Sequence, residues 1–150
     1  MAKSLTISVD DFVEPQLTDI RKCWDYVKEG INSILEADSN ISFRPEDIYS
    51  ECVNERAFLF TSPTGFLVLT TLVDALTGDK SLLILLAYVH ETGNHNWPKH
   101  VQWFEDVARG ADCRFIEARC SVPEMEDYAI KQGFILNTRV YTKEVDGKRT

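Results

Sequence analysis

Leu17, Ile20, Trp24, Val27, Ile31 and Ile34 recur at alternating steps of three and four, which lays apolar side chains along one face of a helix. The spacing predicts a helix over this stretch. Gly30 interrupts it, and a glycine inside a helix costs about 1 kcal/mol against alanine, so the position marks a bend or a break between two helices. Upstream, Leu5 to Val9 reads as a first strand and Asp10-Asp11 as the start of a polar turn. Downstream, Pro45-Glu46-Asp47 opens a second, short helix running to Asn54. Proline is harmless there because first-turn N–H groups have no partner within the helix, and the helix dipole favours the two acids.

The pattern then changes to strands and turns. Ala57 to Thr61, the turn Ser62-Pro63-Thr64-Gly65, Phe66 to Leu72, the turn at Gly78-Asp79, and Ser81 to His90 predict three consecutive strands linked by hairpins. Asn96-Trp97-Pro98 opens another helix, with Val101, Phe104, Val107, Ala108 and Ala111 on its inner face. Arg114 to Ala118 is a fifth strand, and the intervening crossover helix makes it parallel to its predecessor. Ser121-Val122-Pro123-Glu124 fits a capping box. The next helix ends at Gln132-Gly133-Phe134, where Gly133 supplies a left-handed stop. Ile135 to Lys143 reads as a closing strand.

This ending resembles the C-terminal signature of the GCN5-related N-acetyltransferase (GNAT) fold, in which an A-x-x-x-x-G-F helix end leads into the last strands. The element order matches that topology over nearly the whole chain. The resemblance implies an α+β architecture, a mixed sheet with helices on both faces, in one domain spanning residues 1–150 with a flexible tail from 146. More closely, the chain is similar to the compact GNAT-like proteins of tailed bacteriophages. That likeness is carried by Trp24 and Val27, Gly93 followed by Trp97, Glu105 with Ala108 leading to Gly110, Cys113, the Arg119 turn, and Gly133-Phe134.

The resemblance also says where acyl-CoA chemistry would sit. Active members carry a Q/R-x-x-G-x-G/A loop after the fourth strand, whose backbone N–H groups hold the pyrophosphate at a helix N-terminus. Counted back from Ala108, the corresponding positions here are Thr92, His95 and Trp97, with Gly93 the nearest glycine. Neither glycine slot holds glycine, and Pro98 removes a donor at the turn that needs it. For the acid that reprotonates the departing thiolate the family often uses a tyrosine on the last helix. Here Ala129 occupies that slot, and Tyr128 stands one residue earlier, a rotation of about 100°. Glu91 and His90, at the end of the fourth strand, are the candidate bases, and only one of two neighbours on a strand faces the cleft.

Composition narrows the alternatives. The 150 residues carry 16 basic and 24 acidic side chains, a formal charge of −8, with the acids scattered. That balance argues against phosphate-backbone recognition as the main activity. Cys23, Cys52, Cys113 and Cys120 form no C-x-x-C pair, which fits free thiols in a cytoplasm. The apolar run Leu82 to Val89 is far short of the roughly 20 residues of a membrane span. His90, His95 and His100 recur every five residues, a spacing unlike helical metal-ligand pairs, so no metal is expected. No glycine-flanked elbow surrounds Ser81, Ser121, Cys113 or Cys120.

Two functions emerge as expectations. One is a non-catalytic phage-type protein with no cofactor, acting through contacts with a phage structural or host protein, in the host cytoplasm or the virion. The other is an N-acyltransferase that takes acetyl-CoA or another acyl-CoA through a modified loop, with Glu91 and Tyr128 as its catalytic pair.

Overall fold

A computed structural model describes residues 13–89, 97–119 and 123–146. Its centre is a five-stranded mixed sheet in the order β1 (Gln16–Leu17), β2 (Phe58–Ser62), β3 (Gly65–Val73), β4 (Lys80–Val89) and β5 (Phe115–Ala118). Strands β1 to β4 pair antiparallel in succession, and β5 is parallel to β4. Four helices accompany the sheet among the described residues: α1 (Trp24–Ala37), α2 (Pro45–Val53), α3 (Trp97–Gly110) and α4 (Pro123–Lys131).

The sheet buries both faces, which is why its strands are apolar on alternate sides. Leu59, Phe66, Val68 and Leu86 pack with Val27 and Ile31 of α1 and Ile48 of α2. Leu67, Leu69 and Leu82 pack on the opposite face against Trp103, Phe104 and Ala108 of α3. Trp103 sets its ring edge-on to Phe60 at 5.1 Å. The periodicity singled out Phe104 and Ala108 but not Trp103, whose inward position widens the buried stripe of α3.

The hairpins and the parallel β5 agree closely with the sequence pattern, with strand limits displaced by a residue or so. The first helix does not. Leu17 lies in β1, paired with Phe60, and Ile20 belongs to a 3-10 turn over Ile20–Lys22. The Asp19 side chain caps that turn by accepting from the Arg21 backbone N–H. The helix begins only at Trp24, because Leu17 gains a ladder pairing with β2 that no local periodicity reveals. Gly30 does not break α1, which runs without interruption from Trp24 to Ala37. It is buried, and a Cβ built on it would lie 2.5 Å from Phe66 Cε2 and 2.9 Å from Tyr88 Cδ2. Its role is close approach of the helix to the sheet.

Helix ends use the left-handed conformation repeatedly. After α4, Gly133 adopts φ +94°, the Phe134 N–H bonds Ala129 O at 3.0 Å, and the Gly133 N–H bonds Ile130 O at 3.1 Å, the two bonds of a Schellman cap. Glu55 after α2 and Asp112 after α3 take φ +59° and +58° in the same kind of stop. The expected closing strand over 135–143 is corrected by the structure: those residues form no ladder among the described residues. Ile135, Val140 and Tyr141 are 86, 80 and 85% exposed. The expected strand Leu5 to Val9 and the Ser121-Val122 part of the capping box lie outside the described residues.

Candidate functional site

The sequence candidates lie around β4 and the start of α3 in chain order. Its ladder with β3 runs to the end, Gly65 opposite Val89, but its ladder with β5 covers only Ser81–Ile84 against Phe115–Ala118. Leu85 to Val89 therefore extend beyond the parallel ladder. A local irregularity lies beside the end of that ladder. The β3–β4 register shifts between Val68 and Leu69, which oppose Leu86 and Ile84, so Leu85 is an extra residue in β4. Ile84 packs in the α3-side cluster, whereas Leu85 and Leu86 both pack on the α1–α2 side. A bulge of this kind bends its strand and increases local twist. It stands at the point where the β5 ladder ends.

In chain order β4 is followed by α3, at whose N-terminus the macrodipole favours anions. Pro98 is the second residue of that helix, so the first turn has one N–H fewer to offer. On the α1 side of β4, aromatic side chains fill the space. Tyr26 meets Phe66 edge-on at 5.6 Å, and Phe66 lies 5.4 Å from Tyr88, its cross-strand partner. Burial raises the Tyr26 phenol above its ordinary value, and Tyr88 adds to the shift, so Tyr26 is neutral at physiological pH. Gly65 permits tight packing at the strand end, because a Cβ there would collide with the Tyr88 carbonyl.

Of the sequence candidates, His90, Glu91, Thr92, Gly93 and His95 lie outside the described residues. Trp97 is the first residue of α3. Tyr128 lies on α4, half-buried, and burial raises its phenol pKa, which keeps it a proton donor. The structure thus locates the ends of the expected loop and the last-helix tyrosine. The aromatic cluster and the bulge were missed by sequence reasoning. The one available signal for the cluster was glycine in an amphipathic helix, which denotes either a break or close packing.

Other chemistry finds little support among the described residues. Burial pushes the Cys52 thiol up to about 11 and also raises Cys23 and Cys113, the reverse of what an activated nucleophile requires. No group of three or more His, Cys, Asp or Glu could hold a metal among the described residues. No helix among them is long and apolar enough to cross a membrane.

Neither a protein-family model nor a curated protein matches this chain in sequence. Solved structures do match in shape. A probable acetyltransferase superposes with TM-score 0.69 at 15% identity, over 89% of this chain and 99% of the other. A ribosomal-protein-alanine N-acetyltransferase from Brucella melitensis biovar Abortus gives 0.66 at 18% identity, over 89% and 100%. A putative acetyltransferase from Agrobacterium tumefaciens gives 0.65 at 12%, again over 89% and 100%. With its mixed five-stranded sheet and the four helices among the described residues, the chain has the α+β fold of the GNAT acetyltransferases.

Proposed function

We propose that this chain is a GNAT-fold protein of the type encoded by tailed phages, working through protein contacts rather than ordinary acetyl transfer. Its place is in virion assembly, in the particle, or against a host factor. The observation that carries this reading is the junction of β4 with α3. A pyrophosphate needs a close-packed set of backbone N–H donors, which glycines permit by letting the phosphate approach. Here the connecting sequence ends in His95-Asn96-Trp97-Pro98, with neither glycine in its slot and a proline in the first turn of α3. These residues do not fit the group. The aromatic packing of Tyr26, Phe66 and Tyr88 beside β4 agrees with a cleft given over to structure.

The run of β4 on to Val89, past the end of its ladder with β5 at Ile84, favours a second reading, an N-acyltransferase. A strand edge left by its neighbour can bond an extended amide-bearing ligand as a further strand would. Thr92, Gly93, His95 and Trp97 would then surround the acyl-CoA, with Glu91 as base and Tyr128 as acid.

Calorimetric titration with acetyl-CoA separates the two. The first reading expects no saturable heat and no thermal shift at millimolar ligand, since a ligand stabilises only as its concentration approaches Kd. Micromolar binding, with acyl transfer lost in Glu91→Gln or Tyr128→Phe, overturns it. As a control on the phosphate argument, His95→Gly with Trp97→Gly is expected to raise affinity for acetyl-CoA.

A further inference from the structure

We propose that two copies of this chain dock through the tip of the β3–β4 hairpin, with Leu76 and Phe115 of each copy forming the contact about a two-fold axis. The two strands run on past β2: the β2–β3 ladder stops at Leu69, while the β3–β4 ladder continues to Val73 opposite Lys80. The turn over residues 74–79 stands beyond it. Leu76 is 96% exposed there. Leu72 and Phe115 flank Ser81 in one cross-strand row, and Val73 points to the other face. All three are exposed, Phe115 at 49%.

A single exposed leucine is ordinary, whereas apolar side chains gathered in one place mark a contact. The gathering is visible in the bonds. Asp79 of the turn pairs with Arg114 at 3.1 Å, the Arg114 backbone N–H bonds Lys80 O at 2.8 Å, and the Arg114 guanidinium lies 5.0 Å from the centre of the Phe115 ring. The turn and the start of β5 therefore form one surface. Arginine and aromatic side chains are the types enriched where proteins meet.

The turn is also built to keep its shape. Asp74 Oδ1 accepts from the N–H groups of Leu76 and Thr77 at 2.8 and 2.9 Å. The Gly78 N–H bonds Asp74 O at 2.9 Å, and the Asp79 N–H bonds Thr77 Oγ1 at 3.1 Å. Leu76 is thus held in place before any partner arrives, so docking has little backbone left to order.

Charge points to a second copy as the partner. A chain at −8 draws basic partners to its acidic surface and repels its own kind. Around the hairpin tip the balance differs. Asp74, Asp79 and Asp112 stand with Lys80 and Arg114, two bases less three acids, a local sum of −1. Both signs on one surface suit a self-complementary contact, because a two-fold axis can set the bases of each copy against the acids of the other. Lys80 and Val89 are opposite ends of β4, so the contact leaves the candidate loop after Val89 free under either reading of the function.

Sedimentation of the full chain, from low micromolar to several hundred micromolar protein, is the test, and a monomer–dimer equilibrium is the expected result. Leu76→Asp changes a side chain almost wholly in water, so the far-ultraviolet circular dichroism and Tm are expected to hold while dimerisation weakens tenfold or more. Leu17→Asp, 65% exposed on β1 at the other side of the sheet, is expected to leave the dimer intact. Added salt screens the repulsion between two acidic bodies and is expected to tighten the dimer. A protein that stays monomeric throughout, a dimer that survives Leu76→Asp, a dimer lost in Leu17→Asp, or one that salt dissociates overturns the proposal.

Discussion

Gly30→Ala sets two known effects against each other, and the structure decides the sign. On helix propensity alone the change stabilises α1 by about 1 kcal/mol. The new methyl, however, would stand 2.5 Å from Phe66 Cε2, 2.8 Å from its Cζ and 2.9 Å from Tyr88 Cδ2. Carbon atoms pack at roughly 3.5–4.0 Å, so the Phe66 ring must retreat by about 1 Å. It has little room, being 4% exposed and held between Tyr26 and Tyr88. Overpacking of this kind costs about 1–3 kcal/mol, which exceeds the helix gain. The expected net loss is about 1 kcal/mol, a fall in Tm of roughly 2–4 °C for a domain of this length. Thermal and urea melts of four proteins measure it: the parent chain, Gly30→Ala, Phe66→Leu, and the double variant. In the Phe66→Leu background the smaller side chain relieves the clash, so Gly30→Ala becomes neutral or stabilising, a coupling that the cycle isolates. A rise in Tm for Gly30→Ala in the parent chain would refute the close-packing account and restore Gly30 as a mere helix weakness.

Gly133 poses the opposite case. Nothing lies within 4 Å of a Cβ built on it, so only its φ of +94° constrains the residue. In the same melts Gly133→Val is expected to cost about 1 kcal/mol or more through backbone strain, whereas Gly133→Asn loses less. Acid stability rests on carboxylates that accept backbone N–H groups. The Arg44 N–H lowers the pKa of Asp47, and those of Thr77 and Leu76 lower that of Asp74, both from 3.8. A depressed folded-state pKa contributes stability that is fully present above the unfolded value and is lost as pH falls through the folded one. Asp74→Asn should therefore lower the urea midpoint at pH 7, and the difference from the parent should disappear in strong acid. A difference independent of pH would show that the loop gains nothing from the charge.

What the sequence by itself determined is the set of features governed by local chemistry. Pro45-Glu46-Asp47 starts α2 because a first turn tolerates proline and attracts acids, and the Asp47 carboxylate accepts the Arg44 N–H at 2.8 Å. The turn before Gly65, the turn at Gly78 and the stop at Gly133 were legible for the same reason: few residues satisfy their backbone angles. A crossover helix between two apolar strands sufficed to make β5 parallel to β4. The missing glycine pair before α3 was equally plain, since it is a matter of residue identity.

Tertiary structure decided whatever depends on a partner distant in the chain. Leu17 continues the apolar period of α1, but pairing with Phe60 makes it strand. Ile135 to Lys143 has the composition of a strand yet forms no ladder among the described residues, because a strand exists only where an edge receives it. Gly30 reads as a helix break until Phe66 and Tyr88 are brought against it. The extra residue Leu85 is invisible locally: a bulge is a mismatch between two strands, and neither strand alone contains it.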